Sequence, residues 1–156
     1  MRLLIYSSGI IFGLDQITKI LVVHLMNLRT VGVIEVWPPV LTFRMAWNRG
    51  ANFGLFSNDA GVVKWILIAL ALAISAWVIY WLHKEQEGKW AMISGGFLVG
   101  GAAGNVLDRL LYGAVADFLN MTCCGIDNPY AFNVADISIF LGAFGLIAFT
   151  GRKKAS

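Results

Sequence analysis

Residues 62–82 read VVKWILIALALAISAWVIYWL, and from Trp65 to Leu82 no side chain is charged. A helix rises about 1.5 Å per residue, so about 20 such residues cross the hydrocarbon core of a bilayer, about 30 Å thick. The whole chain has the same character. Of its 156 residues 58% are hydrophobic and 13% charged, against about 25% charged in a soluble domain. With a mean hydropathy of +0.72, the chain carries more apolar surface than its polar residues can cover in water. A lipid setting removes the conflict.

Outward from this segment, three more runs have spanning length. The first covers about residues 3–25. It begins like a signal peptide with Arg2 and Leu3-Leu4-Ile5, but Asp15-Gln16-Ile17-Thr18-Lys19 interrupts it and no small-residue cleavage pattern follows, so it reads as a retained helix. The others cover about 90–111 and 133–150. The spacing predicts one domain, an all-α integral membrane protein of four transmembrane helices with a small β-rich extracytoplasmic region. Outer loops at about 27–61 and 112–132 separate the spans. Val31-Gly32-Val33-Ile34 and Val40-Leu41-Thr42-Phe43 supply the strand-like stretches of the first loop. In the second, Gly113, Gly125 and Asn128-Pro129 are turn formers.

Lysine and arginine set the orientation. Arg2, Lys84, Lys89 and Arg152-Lys153-Lys154 fall on one side of a four-span chain in short, densely basic segments, which are normally cytoplasmic. Arg29, Arg44, Arg49 and Lys64 are spread along the other side. Both termini are therefore expected inside, with the long loops outside. The net charge of +3 comes from these helix-end residues, and no basic stretch with interleaved aromatics points to nucleic acid. Adjacent Cys123 and Cys124 cannot build a disulfide framework. His24 and His83 are far apart, so no zinc-ligand spacing exists, and no metal or other cofactor is expected.

The polar residues inside the spans share one depth. By helical rise, Asp15 lies about 18–20 Å, Asp136 about 22 Å and Asp108 about 27 Å from the inner ends of their helices. Asp117 returns to that level after Gly113. Intramembrane charges cost several kcal/mol unless paired or wetted, so they normally face a bundle interior or water. Asp15 and Lys19 are spaced to pair on one helix face. Asp108-Arg109 can tie a loop to a helix end, and Asn105 and Asn133 can hydrogen-bond nearby backbone. Gly96, Gly100 and Gly104 form a smooth stripe leading to Asp108, suited to close approach of another helix.

Asp117 and Asp136 have no basic residue within one helical turn and sit between apolar neighbours. Two close carboxylates in a low-dielectric site do not both ionise readily. One keeps a proton, so the pair can act as acid and base on a water and an amide. From spacing alone, catalysis and packing both remain open. So does ion transport, which also uses intramembrane charges, although no repeat is visible. A serine mechanism lacks a Ser–His or Ser–Lys pair at common depth.

Five segments, taken together and in order, resemble the lipoprotein signal peptidase (signal peptidase II) family. They are Asp15-Gln16-x-Thr18-Lys19, Asn48-Arg49-Gly50-Ala51-Asn52-Phe53, Gly100 to Arg109, Gly113 to Phe118, and Phe132-Asn133-Val134-Ala135-Asp136. The resemblance covers nearly the whole chain. It implies a metal-independent intramembrane aspartic endopeptidase of the bacterial cytoplasmic (inner) membrane. The implied substrate is a diacylglyceryl-modified prolipoprotein, cut just before the lipidated cysteine near the outer face. Asp117 and Asp136 match the family's catalytic pair. Asn48, Gly50, Asn105, Arg109 and Asn133 match positions that bind substrate or shape the site, and Asp15, Lys19 and Asp108 match positions that support it. Membrane lipid is an expected partner, and a monomer suffices. Asn52 stands where the family usually has a small residue. Ile137 stands where Ser is common, with Ser138 beside it.

Overall fold

A computed structural model of the chain describes residues 1–50, 60–122 and 128–150. Helix α1, Arg2–Lys19, continues into a wider π-helical segment, Ile20–Leu25. A single turn, α2, Leu28–Val31, leads to strands β1, Val33–Trp37, and β2, Leu41–Asn48. Helices α3, Ala60–Glu85, and α4, Lys89–Tyr112, follow. Strand β3, Val115–Met121, and helix α5, Val134–Phe149, complete the order.

Three helical stretches among the described residues are long and apolar enough to cross a membrane: Arg2–Leu25, Gly61–Glu85 and Lys89–Tyr112. Helix α5 is apolar but has 16 residues, a length of about 24 Å. The expected boundaries of the first three spans agree with these helices to within a few residues.

Helix α4 is the centre of the bundle, with α1, α3 and α5 packed on it. Its glycines explain how. A Cβ at Gly96 would stand 2.6 Å from the Leu4 carbonyl oxygen, and one at Gly100 2.5 Å from that of Ser8. One at Gly104 would run into the Asp15 carboxylate. The expected smooth stripe is thus the seat of α1. On another face of α4, Gly101 meets the Ala135 carbonyl, while Gly142 of α5 approaches the backbone of Ser94 and Leu98. Backbones this close leave side chains at the interface little freedom.

The second loop differs from the loop expected of it. Gly113, at φ 75°, ends α4 in the left-handed conformation, and the chain then runs straight into β3. Its β-branched and aromatic residues pair antiparallel with β2, giving the sheet order β1-β2-β3. Val31 and Gly32, expected in a strand, close α2 instead, because Gly32 at φ 82° turns the chain. Between the sheet and the end of α1 lies an apolar cluster of Val22, Val23, Leu28, Ala116 and Phe118. Phe43 packs edge-on against Phe118 at 5.9 Å. The sheet is thereby clamped to the bundle, and β3 carries Asp117 to the N-terminus of α5.

Candidate active site

Asn133 is the N-cap of α5. Its side-chain oxygen accepts from the Asp136 N–H at 2.9 Å, and Asp136 Oδ2 accepts from the Asn133 N–H at 3.3 Å. This reciprocal capping box fixes Asp136 in the first turn. The Asn133 amide also donates to Asp117 Oδ1 at 2.6 Å and to Asn105 Oδ1 at 3.3 Å. Asn105 in turn donates to Asp136 Oδ1 at 2.9 Å, and Asn48 donates to Asp117 Oδ2 at 3.0 Å. All four carboxylate oxygens of Asp117 and Asp136 therefore accept a hydrogen bond from an asparagine. Three separate elements, β2, α4 and the head of α5, aim at one pair of acids.

Asp117 is buried and Asp136 half-buried. Asp117 stands on β3, outside the spanning helices. Burial pushes its carboxyl up to about 7, with the charge of Asp136 adding to the effect. Hydrogen bonds from Asn48 and Asn133 and the charge of Lys19 oppose it. At neutral pH the more buried acid can thus hold a proton. A protonated carboxyl beside a more accessible one is an arrangement able to act as an acid–base pair.

Behind the pair lies a buried ionic cradle. Lys19 contacts Asp15 Oδ2 at 2.7 Å and Asp108 Oδ2 at 2.8 Å. The other oxygen of Asp15 accepts from the Ala135 N–H at 3.0 Å, and Asp108 Oδ2 accepts from the Ala116 N–H at 3.0 Å. Ala135 immediately precedes Asp136 and Ala116 immediately precedes Asp117. One ammonium, shared by two carboxylates, therefore holds the backbone behind each acid of the pair. The cradle residues are almost wholly buried, Asp15 and Asp108 at 0% exposure and Lys19 at 5%. Removing one charge leaves the others uncompensated.

Every described candidate residue falls in one of these two layers or at their edge. Arg109, half-buried, donates to the Asn105 carbonyl at 3.3 Å and lies in the field of Asp136, Asp117 and Asp108. Gly50, at φ 75°, donates its N–H to Asn48 Oδ1 at 2.9 Å, which orients the Asn48 amide toward Asp117. Asn52, Phe53, Cys123, Cys124, Gly125 and Arg152–Lys154 lie outside the described residues. Ser138, next to Ile137, donates to the Val134 carbonyl at 2.8 Å, so its hydroxyl serves its own helix.

Sequence reasoning gave no role to Gln16. Its amide reaches Asp15 Oδ2 at 3.0 Å and Asp108 Oδ1 at 3.4 Å, completing the cradle. Its place in the Asp15-Gln16-x-Thr18-Lys19 segment was the signal. An apolar groove of about 380 Å³ between α3, α4 and α5 ends on Asn105 and Arg109, with Leu67, Leu70, Ile74 and Ile139 among its walls.

Fold and site define a class: a helical membrane protein with two asparagine-held carboxylates at one end of its bundle. Known proteins narrow it. The family model for signal peptidase (SPase) II matches residues 7–151. The lipoprotein signal peptidase of Aeromonas hydrophila is 37% identical over 153 residues, covering 96% of this chain and 90% of that protein. That of Methylorubrum extorquens is 36% identical over 149 residues, covering 91% and 84%. A solved structure described as a bacterial membrane enzyme superposes with a TM-score of 0.81 at 26% identity, over 100% of this chain and 96% of its own. The chain belongs to the signal peptidase II family of membrane proteases.

Proposed function

We propose that the chain is an intramembrane aspartic endopeptidase that removes signal peptides from diacylglyceryl-modified prolipoproteins, cutting just before the lipidated cysteine. The observation that carries this reading is the single asparagine, Asn133, that holds both Asp117 and Asp136. In the proposed reaction Asp136, the more accessible acid, takes a proton from a water between the two. The hydroxide adds to the scissile carbonyl carbon while Asp117 gives its proton to the carbonyl oxygen. Asp136 then returns its proton to the amide nitrogen as the C–N bond breaks, and Asp117 recovers one from the collapsing diol. Protons balance without an outside donor, and no metal takes part. Asn48, Asn105 and Asn133 keep the carboxylates aimed, Arg109 adds positive charge nearby, and Gly50 shapes the entrance.

The groove ending on Asn105 and Arg109 suits an apolar signal segment or acyl chain arriving sideways from lipid. In this reading α5 is the fourth span, Arg2, Lys84 and Lys89 mark the cytoplasmic side, and the site faces outward. Exposed Trp37, with 72% of its surface accessible, fits an interfacial anchor. Every proposed catalytic group comes from one chain, so a monomer suffices.

The test is cleavage by detergent-purified protein of a lipobox peptide with and without diacylglycerol on its cysteine, with products weighed by mass spectrometry. The lipidated peptide alone should be cut, at the bond before cysteine. Equal cutting of both peptides, or none by folded protein, would remove the proposal.

A further inference from the structure

On the far side of β2 from the carboxylate pair lies a second polar cavity, of about 340 Å³, lined by Arg29, Trp47, Arg49, Leu111, Tyr112 and Ala114. Strand alternation separates the two sites. Asn48 reaches Asp117, whereas Trp47 packs on the cluster of Val22, Leu28 and Phe118. The cavity sits where the ends of α1 and α4 meet the sheet, the Tyr112 hydroxyl lying 3.4 Å from His24 Nε2.

Its chemistry is cationic and aromatic. The Arg29 guanidinium lies 5.9 Å above the Trp47 ring, and Trp47 lies 5.5 Å from the Tyr112 ring. This stack holds Arg29 in place before any ligand arrives. No lining residue is acidic, and among the described residues neither arginine enters an ion pair. The C-terminus of α4 opposes an anion with about half a negative charge, but two guanidiniums outweigh it. Guanidinium presents a planar fork of donors that matches phosphate oxygens. Leu111, on the cavity wall, has 63% of its surface exposed, and Leu110 and Leu25, next in sequence to Leu111 and His24, have 47% and 72%. That apolar rim suits acyl chains and has no use for a free phosphate ion.

We propose that this cavity binds the phosphate of an anionic phospholipid headgroup, with Arg29 and Arg49 as its ligands and the acyl chains lying along the leucines. The proposal is independent of the cleavage reaction, and its readout needs no peptide.

The test is native mass spectrometry of protein delipidated in detergent and re-exposed to equal phosphatidylglycerol and phosphatidylcholine of matched chains. Wild type should retain the anionic lipid at least about tenfold over the zwitterionic one, the scale set by one or two arginines near a lipid phosphate. The Arg29→Gln/Arg49→Gln variant should lose that preference while keeping its thermal midpoint. Arg44→Gln, on the sheet but outside this cavity, should keep it. Equal retention of both lipids by wild type, an unchanged preference in the double variant, or an equal loss in Arg44→Gln would overturn the proposal. A third arm adds millimolar glycerol phosphate. Lipid that stays bound supports a headgroup site, and full displacement would assign the cavity to a soluble anion.

Discussion

Asn133 is fully buried and does three things at once, so its replacement separates holding the helix from holding the acids. Asn133→Ala removes the cap of α5, a loss of about 0.5–2 kcal/mol. It also removes the donor to Asp117, and hydrogen bonds to charged groups contribute about 1.5–3 kcal/mol. If the second loss falls on the transition state, the rate drops about 10- to 150-fold at 1.36 kcal/mol per decade. Asn133→Ser isolates the two effects. Serine caps as well as asparagine, but its short side chain has no amide to donate to Asp117. The assay is initial-rate cleavage of the lipidated peptide at pH 7, with thermal unfolding in detergent followed in parallel. Asn133→Ser should keep most of the stability and lose about as much activity as Asn133→Ala. Activity within about threefold of wild type in Asn133→Ser would refute the claim that this donor positions Asp117.

Three further outcomes follow from the same geometry. Because Asp117 holds its proton up to about pH 7, the acid partner is present below that pH and lost above it. Cleavage should therefore fall about tenfold per pH unit on the alkaline side, and Asn48→Ala, which removes an interaction favouring the charged form, should move that limb upward in a pH–rate profile. Gly104→Ala places a methyl carbon 3.1 Å from the Asp15 Cγ and closer still to its oxygen. Overpacking of this kind costs about 1–3 kcal/mol, to be seen as a lowered unfolding midpoint. Lys19→Met leaves Asp15 and Asp108 buried without their cation, a loss of about 3–5 kcal/mol. Adding Asp15→Asn and Asp108→Asn, which keep acceptors for the Ala135 and Ala116 N–H groups, should restore most of the thermal stability.

Much of this was legible in the chain. The uncharged run from Trp65 to Leu82 defines a spanning helix without any partner, because lipid rewards apolar residues wherever they face. The glycine stripe of α4 announced a close neighbour, although not that α1 would be the one. The capping box is local, with Asn133 three residues before Asp136, so its residues were visible as a motif. What was not legible depends on distant pairing. Strand β3 lies between a helix and turn residues, and its partner β2 is about 70 positions earlier; nothing local distinguishes it from a loop. The Ala135 N–H meets Asp15 across 120 residues. No spacing rule predicts that a carboxylate on α1 holds the backbone behind an acid on α5. The depth argument placed the acids at one level and the family resemblance named Asn48, Asn105 and Asn133, but which carboxylate each of them holds emerged only from packing.

The central claim is that Asp117 and Asp136 together carry out the cleavage. The most direct measurement is the rate of lipidated-peptide cleavage by Asp117→Asn and Asp136→Asn, each shown to be folded by its unfolding transition. Asparagine keeps the size of the side chain and removes the ionisable proton. The account predicts that each variant loses about 10²–10⁴-fold, the scale of general acid–base catalysis, with no recovery across the pH range. Either folded variant cutting within about tenfold of wild type would contradict it.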